Sequence, residues 1–390
     1  MHREYSLREE ERHSLLQSRD SSHQTPFELD EEAVVERNYA APVLTSKMSS
    51  AKNFFLFASL LVALIVAIKS LAGSGKKLTA DVAGPTLNKD GSTTAKPNFV
   101  FLLLDDVGWN ALGKEYDLSF TTPNINELIG NGISLENYYT QEICTPARAS
   151  LMTGRYPASI KMQYGEISGS STHVVPAVET MLPQVLKSNG YINYALGKWN
   201  LGHRTAQYLP TARGFDHYLG YLDGGNFYWT KKDPAYSEYT DFMVATAECY
   251  DLYKQTDIET YSSTLYTSKA VSVINTHDFD SSPMFMYLAF QAAHEPFEDT
   301  DHDEGITSDL VGEERFNSVV HRVVGVERKQ IGLSLMLVDD GVEQIVSALE
   351  DVGQLDNTYI IITSDNGGCY EAGGKNGPLR GSKGSLYEGK

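Results

Sequence analysis

Four largely apolar runs from residue 98 onward predict strands. They are Asn98–Leu104, Tyr191–Leu196, Met284–Phe290 and Tyr359–Thr363. Continuous apolar runs of this length are typical of strands that are buried on both faces. Amphipathic stretches suited to helices lie between them, at Val178–Lys187, Ser262–Ile274 and Leu333–Leu349. Strands that alternate with helices predict an α/β fold, with a mainly parallel central sheet flanked by helices.

The first 96 residues differ from the rest of the chain in composition. Residues 1–50 are polar and charge-rich without a sustained period, which predicts a disordered tail. The uncharged run Asn53–Ile68, extended by its flanks to 51–73, predicts a transmembrane signal-anchor; a buried core helix and a cleaved signal peptide are the alternatives. Residues 74–96 are rich in Gly, Ser, Thr and Lys and indicate a linker. A catalytic domain would then occupy 97–390.

The anchor also bears on where the domain resides. Lysines lie on both sides of the apolar run, so charge does not decide its orientation. We expect a single-pass membrane protein whose tail is cytosolic and whose domain is lumenal or extracellular, in the secretory pathway or a lysosome-like compartment.

Composition narrows the range of partners. The chain has 390 residues with 32 Lys and Arg against 51 Asp and Glu, a formal net charge of −19. Nucleic acids are excluded as partners because binding their backbone needs clustered basic residues. The three cysteines are too few for a disulfide framework, so the fold depends on its apolar core.

Two of the predicted strands run directly into oxygen-bearing side chains. Asp105 and Asp106 follow the first strand, and Asp365 and Asn366 follow the last. Ligands of open α/β sheets bind beyond the carboxyl ends of strands, so these four side chains predict a site for a hard cation. Calcium or magnesium suits oxygen ligands better than zinc does. The alternative is that these residues cap the turns or helices that follow.

A second candidate site starts at Cys144. Pro146 and the helix-forming run after it place Cys144 at or just before a helix N-terminus, with Arg148 one turn along. Backbone N–H groups and the helix dipole favour an anion there, such as a sulfate or phosphate ester. The alternative is a small buried cysteine with a packing role.

These residues resemble a known family. Cys144-Thr-Pro-Ala-Arg148, followed by Thr153-Gly-Arg155, is similar to the sulfatase signature C-x-P-x-R with a trailing T-G-R. Five further segments match sulfatase motifs in order: Leu104-Asp-Asp-Val-Gly-Trp109, Gly197-Lys-Trp199, Ala293-His-Glu-Pro296, Ser364-Asp-Asn-Gly-Gly368 and Leu379-Arg-Gly-Ser-Lys383. Leu209–Asp216 and Ala292–Pro296 resemble the arylsulfatase B branch in particular. The resemblance implies the alkaline-phosphatase-like fold and a sulfuric ester hydrolase.

The resemblance also implies cofactors and substrates. In sulfatases the signature cysteine, here Cys144, is converted to formylglycine by a formylglycine-generating enzyme in the endoplasmic reticulum. Together with this residue, Ca²⁺ would be held by the side chains of Asp105, Asp106, Asp365 and Asn366. The substrate would be a sulfated carbohydrate or an aryl sulfate.

Four further residues receive roles from the same resemblance. Arg148 would steady the hydrated aldehyde. Lys198 and Lys383 would neutralise the sulfate oxygens, and His294 would protonate the leaving oxygen. Hydrolysis of phosphate or phosphonate monoesters is the alternative activity, because related folds use the same cysteine motif for it.

The sequence departs from the family pattern in two places. Sulfatases usually have a histidine at the position of Asn200, and an amide cannot accept a proton at neutral pH. His203 is a possible substitute, and the alternative function is a catalytically silent, sulfatase-like binding protein. The chain also stops where sulfatases continue into a smaller C-terminal subdomain. We therefore expect the catalytic domain to be C-terminally incomplete, with an exposed sheet edge.

Overall fold

A computed structural model gives the fold of the chain from residue 96 to 389. Residues 114–115, 164, 237, 247–249, 252–259 and 298–304 are gaps in this description. The predicted tail (1–50) and anchor (51–73) lie outside the described residues, as does all but the last residue of the predicted linker (74–96). Within the described part of the chain, no helix is both long and apolar enough to cross a membrane.

A seven-stranded sheet organises the domain. Its strands are β1 (Asn98–Leu104), β2 (Ile192–Lys198), β3 (His217–Tyr221), β4 (Met243–Thr246), β5 (Tyr250–Asp251), β6 (Met284–Ala289) and β7 (Thr358–Ser364). The spatial order is β5-β4-β3-β2-β6-β1-β7. Pairing is parallel from β3 across to β7, and antiparallel only where β4 and β5 extend the far side. The predicted α/β class with a mainly parallel sheet is confirmed.

Helices cover both faces of this sheet. They are α1 (Pro123–Asn131), α2 (Cys144–Thr153), α3 (Leu182–Ser188), α4 (Ser262–Thr276), α5 (Ser308–Val311), α6 (Glu313–Arg322) and α7 (Val326–Asp351). The three predicted helices correspond to α3, α4 and α7, although α7 begins seven residues before the predicted Leu333.

The alternation of side chains along β1 shows why its sequence is apolar throughout. Leu102 and Leu104 lie in the apolar cluster that includes residues of α4 and α7. Phe101 and Leu103 point to the opposite cluster, which includes Met152 of α2. A strand with helices on both faces has no polar side, because successive side chains enter opposite halves of the core.

The sheet ends at β7, which pairs with β1 on one side. Tyr359 and Ile361 on this strand are 39% and 37% exposed. The expected incompleteness of the domain at its C-terminus stays a prediction.

Candidate active site

The carboxyl ends of four adjacent parallel strands build one polar cluster. Asp105 and Asp106 follow β1, Lys198 is the last residue of β2, and Asp365 follows β7. His294 lies beyond β6, and α2 brings Cys144 to the same edge. Parallel strands end on the same side of a sheet, so residues that are far apart in sequence meet here.

Cys144 is the first residue of α2 and is fully buried. Ile143 before it has extended backbone, and the helix runs on to a left-handed Gly154. The Sγ atom of Cys144 lies 3.6 Å from Oδ1 of Asp105. The predicted position of the cysteine, at a helix start beside the acidic strand ends, is therefore found in the structure.

Arg148, one turn along α2, joins the two acidic strand ends. Its Nε and Nη2 donate to Oδ2 of Asp365 at 3.0 and 2.8 Å, and Nη2 also donates to Oδ2 of Asp105 at 3.1 Å. All three side chains are almost wholly buried. The guanidinium suits this position because its planar donors can hold two carboxylates at once. Arg148 Nη1 also donates to the carbonyl of Lys198 at 3.4 Å, and its expected role of steadying the hydrated aldehyde stays a prediction.

Two lysines complete the cationic part of the cluster. Lys198 Nζ donates to Asp105 Oδ2 at 2.7 Å, and Lys383 Nζ donates to Asp106 Oδ2 at 2.9 Å. Lys383 Nζ also lies 3.0 Å from Nε2 of His294. Because an ammonium group only donates, His294 Nε2 accepts this hydrogen bond, and its Nδ1–H then faces the carbonyl oxygen of Glu295.

The charges hold each other in the ionised state. Burial raises the pKa of Asp105, but the positive charges beside it, Lys198 first and Arg148 with it, outweigh this effect, so the pKa is lowered. Burial lowers the pKa of Lys198, yet the attraction of Asp105 leaves it raised. Both groups are therefore charged at neutral pH. By contrast, burial and the neighbouring Asp105 raise the pKa of the Cys144 thiol, which makes the unmodified side chain a poor nucleophile.

The carboxylates of the cluster suit a hard cation. Ligand atoms of Asp105, Asp106, Cys144 and His294 lie within 4.8 Å of one another. Asn366 Nδ2 donates to Asp106 Oδ1 at 2.6 Å, but its Oδ1 is buried and has no hydrogen-bond partner within the described residues. An unsatisfied buried oxygen is costly, and beside carboxylates this amide oxygen is suited to bind a calcium ion.

At Asn200 the sequence departs from the motif that it otherwise resembles. Its backbone is left-handed, with φ 51°, a conformation that asparagine tolerates well. Thr145 Oγ1 donates to Asn200 Oδ1 at 2.7 Å, and Asn200 Nδ2 donates to the carbonyl of Ile167 at 3.0 Å. The amide thus supports the residue after Cys144. Nδ1 of His203, its possible substitute, is buried and has no hydrogen-bond partner within the described residues.

The structure brings all nine sequence-predicted site residues to one end of the sheet. It adds a residue that the sequence analysis missed, Glu166, whose Oε1 lies 4.0 Å from Lys198 Nζ. Glu166 stands in a segment without periodicity or motif, so no sequence signal marked it.

Comparison with known proteins identifies similar chains. The Sulfatase family model matches residues 97–390. The chain is 34% identical over 305 residues to arylsulfatase J of Mus musculus, covering 76% of this chain and 47% of that protein. It is 32% identical over 313 residues to N-acetylgalactosamine-6-sulfatase of Mus musculus, covering 75% and 55%. The chain therefore spans about half the length of these curated relatives.

Solved structures agree with the sequence matches. The crystal structure of Ps i-CgsB superposes with a TM-score of 0.63 at 31% identity, covering 75% of this chain and 64% of that one. The same protein in complex with k-i-k-neocarrahexaose gives a TM-score of 0.61 at 30% identity. The narrower resemblance to the arylsulfatase B branch stays a prediction.

Proposed function

The chain belongs to the sulfatase family, and we propose that it hydrolyses sulfate monoesters, on sulfated sugars or aryl sulfates. The observation that carries this proposal is the balance of charge around Cys144. The carboxylates of Asp105, Asp106 and Asp365 are matched by Arg148, Lys198 and Lys383. A bound divalent cation would leave the site positive, which favours an anionic ester.

Formylglycine and Ca²⁺ would supply the central chemistry, and the residues present are suited to both. Formylglycine made from Cys144 by the formylglycine-generating enzyme would provide, once hydrated, the hydroxyl that attacks sulfur, and Ca²⁺ would act on it as a Lewis acid. Asp105, Asp106, Asp365 and Asn366 would hold the ion. Conversion in the endoplasmic reticulum is the reason to propose that the protein enters the secretory pathway, with the single-pass anchor at 51–73.

The remaining residues bind the sulfate and supply a proton. Burial lowers the pKa of Lys383, but the carboxylates of Asp106 and Asp105 help to raise it, so Lys383, like Lys198, stays charged and can bind sulfate oxygens. His294 Nε2 accepts from Lys383 in this structure. The imidazole lies at the edge of the sulfate site beside Lys383, where it would protonate the leaving oxygen.

The relatives suggest the kind of substrate. One of them is named for N-acetylgalactosamine 6-sulfate, and a similar structure contains a neocarrahexaose. A sulfated sugar is therefore the proposed natural substrate.

Hydrolysis of 4-nitrophenyl sulfate tests the proposal directly. The full chain, produced in a secretory host, should release nitrophenol in a calcium-dependent reaction. The matched variant Cys144→Ala should lose about 1,000-fold or more of this rate, because it removes the nucleophile. Equal rates in the two proteins would contradict the proposal.

A catalytically silent binding protein is the second candidate, and Asn200 is the observation that favours it. Its amide cannot take the proton from the formylglycine hydroxyl. If the chain is a slow enzyme, Asn200→His should raise kcat for 4-nitrophenyl sulfate by about 100-fold, the usual value of a general base. A folded Asn200→His protein that binds sulfate without any gain in turnover would support the silent role.

A further inference from the structure

Glu166 places an additional negative charge at the rim of the proposed active site. Its Oε1 lies 4.0 Å from Nζ of Lys198, one of the proposed sulfate ligands, and its side chain is 32% exposed. On the other side it packs against the loop after β3, where a Cβ on Gly224 would fall 2.1 Å from Oε1. The carboxylate therefore fits against bare backbone, between this loop and the buried cluster.

A cavity opens beside Glu166. Its volume is about 240 Å³, and its walls are formed by Met162, Gly165, Glu166, Ile167, Ser171 and His173. This volume is slightly below the usual range for sites that enclose a whole small molecule, about 300 Å³ and above. The cavity is therefore large enough for one substituent or one ring beside the Glu166 carboxylate, which itself lies 4.0 Å from Lys198.

Asn200 fixes the segment that carries Glu166. Thr145 Oγ1 accepts from the backbone N–H of Ile167 at 3.0 Å, while Asn200 Nδ2 donates to the carbonyl of the same residue. Thr145 also donates to Asn200, which closes a buried triangle directly after Cys144. The residue that departs from the family pattern thus ties the Glu166 segment to the start of α2.

We propose that Glu166 is a specificity-determining residue for the proposed sulfatase reaction. A carboxylate offers only acceptors, so it favours substrates whose neighbouring group is neutral or donates hydrogen bonds, as sugar hydroxyls do. It disfavours a second anion on that side, such as another sulfate or a carboxylate, because like charges brought together cost free energy. The preferred substrate class is a sulfate ester whose adjacent position is uncharged. This inference rests on the proposed function.

A matched pair of aryl sulfates tests the inference. 2-Carbamoyl-4-nitrophenyl sulfate and 2-carboxy-4-nitrophenyl sulfate have nearly the same shape, and they differ in charge beside the ester. The ratio of their kcat/KM values, amide over carboxylate, is measured in the unmodified chain and in Glu166→Gln. Differences in leaving-group chemistry cancel when the two ratios are compared. We expect Glu166→Gln to lower the ratio by about tenfold.

Two control variants separate charge from other effects. Glu166→Asp keeps the carboxylate and should retain most of the preference. Glu350→Gln removes a charge from the exposed end of α7 and should leave the ratio unchanged. If both compounds are hydrolysed and the ratio of their kcat/KM values is the same in the unmodified chain and in Glu166→Gln, the specificity role of Glu166 is overturned. The proposed function is not affected by that result. Failure of the unmodified chain to hydrolyse plain 4-nitrophenyl sulfate overturns the proposed function, and this inference with it.

Discussion

Asp223, just past β3, forms a buried acidic pair with Asp233. The two carboxyls are 6% and 8% exposed, and Asp223 Oδ1 accepts from the backbone N–H of Gly224 at 2.9 Å. Burial and the hydrogen bond to Asp233 raise the pKa of Asp223 from 3.8 to about 8. Two carboxyls in such contact share a proton, because both cannot be ionised at close range.

This pair makes the stability of the protein depend on pH. In the folded state Asp223 keeps its proton up to about pH 8, whereas the unfolded chain loses it near 3.8. The unfolded state thus binds fewer protons in this window, and stability falls as pH rises through it, by up to about 1.4 kcal/mol per pH unit. Asp223→Asn mimics the protonated form. Its free energy of unfolding, relative to that of the unmodified chain, should therefore increase from about pH 3.8 to about pH 8 and level off above that range.

Urea denaturation at several pH values in this window measures the effect. The exposed Asp280→Asn substitution provides the control, and its difference from the unmodified chain should stay constant with pH. A pH-independent difference for Asp223→Asn would show that the pair does not hold a shared proton.

Individual site residues differed in how far the sequence could locate them. Asp105 and Asp365 were predictable because they stand immediately after apolar strands, and parallel strands bring such positions together. The triangle around Asn200 was not, because it depends on a loop meeting a helix start. Asp223 was missed for a different reason: β3 before it contains glycine and several polar or aromatic residues, rather than an aliphatic run.

At the level of elements, the buried part of the sheet was predictable and its far side was not. The predicted Asn98–Leu104 coincides with β1, since all its residues face the core. β3 was not predicted, and neither were β4 and β5, which are only four and two residues long. Short strands at a sheet margin contain too few residues for a pattern to be recognised. The N-terminal turns of α7 were missed because charged residues interrupt the apolar pattern there.

α7 is tied to the site-bearing loops by one buried cation. Arg328 is 3% exposed, and its Nη2 donates to Asp117 Oδ1 at 2.6 Å and to the carbonyl of Asn110 at 3.0 Å. Lys375 Nζ donates to the other oxygen of Asp117 at 2.6 Å. Asp117 therefore links the helix to the loop after β1 and to the loop after β7.

Removing this link should destabilise the domain. Asp117→Asn leaves the buried Arg328 without its counter-charge, and we expect a loss of about 1–3 kcal/mol in urea denaturation at neutral pH. Partial burial raises the pKa of Asp117, but hydrogen bonds from Arg328 and Lys375 lower it more. With a lowered folded pKa, the stabilisation is present above 3.8 and is lost as pH falls further. The difference between the two proteins should therefore narrow in acid; a constant difference would contradict the ion-pair origin.

At the scale of the whole molecule, the proposed metal couples the strand ends to overall stability. Asp105 and Asp106 follow β1, and Asp365 and Asn366 follow β7, so an ion between them would join two strands and, through Cys144, the start of α2. The three carboxylates have Arg or Lys partners. The buried Oδ1 of Asn366, by contrast, has no hydrogen-bond partner within the described residues. An ion would satisfy this oxygen, and it binds only the folded chain.

Calcium should therefore raise the melting temperature of the protein, whether or not the chain is active. A ligand specific to the folded state stabilises it by about 2.7 kcal/mol at 100 times its Kd. Thermal melts in EGTA and in rising Ca²⁺ measure this shift. Asn366→Leu removes the free oxygen and should reduce the calcium-dependent shift, whereas Asn317→Leu on α6 should retain it. A melting temperature that is the same in EGTA and in saturating Ca²⁺ would show that these strand ends do not form a calcium site.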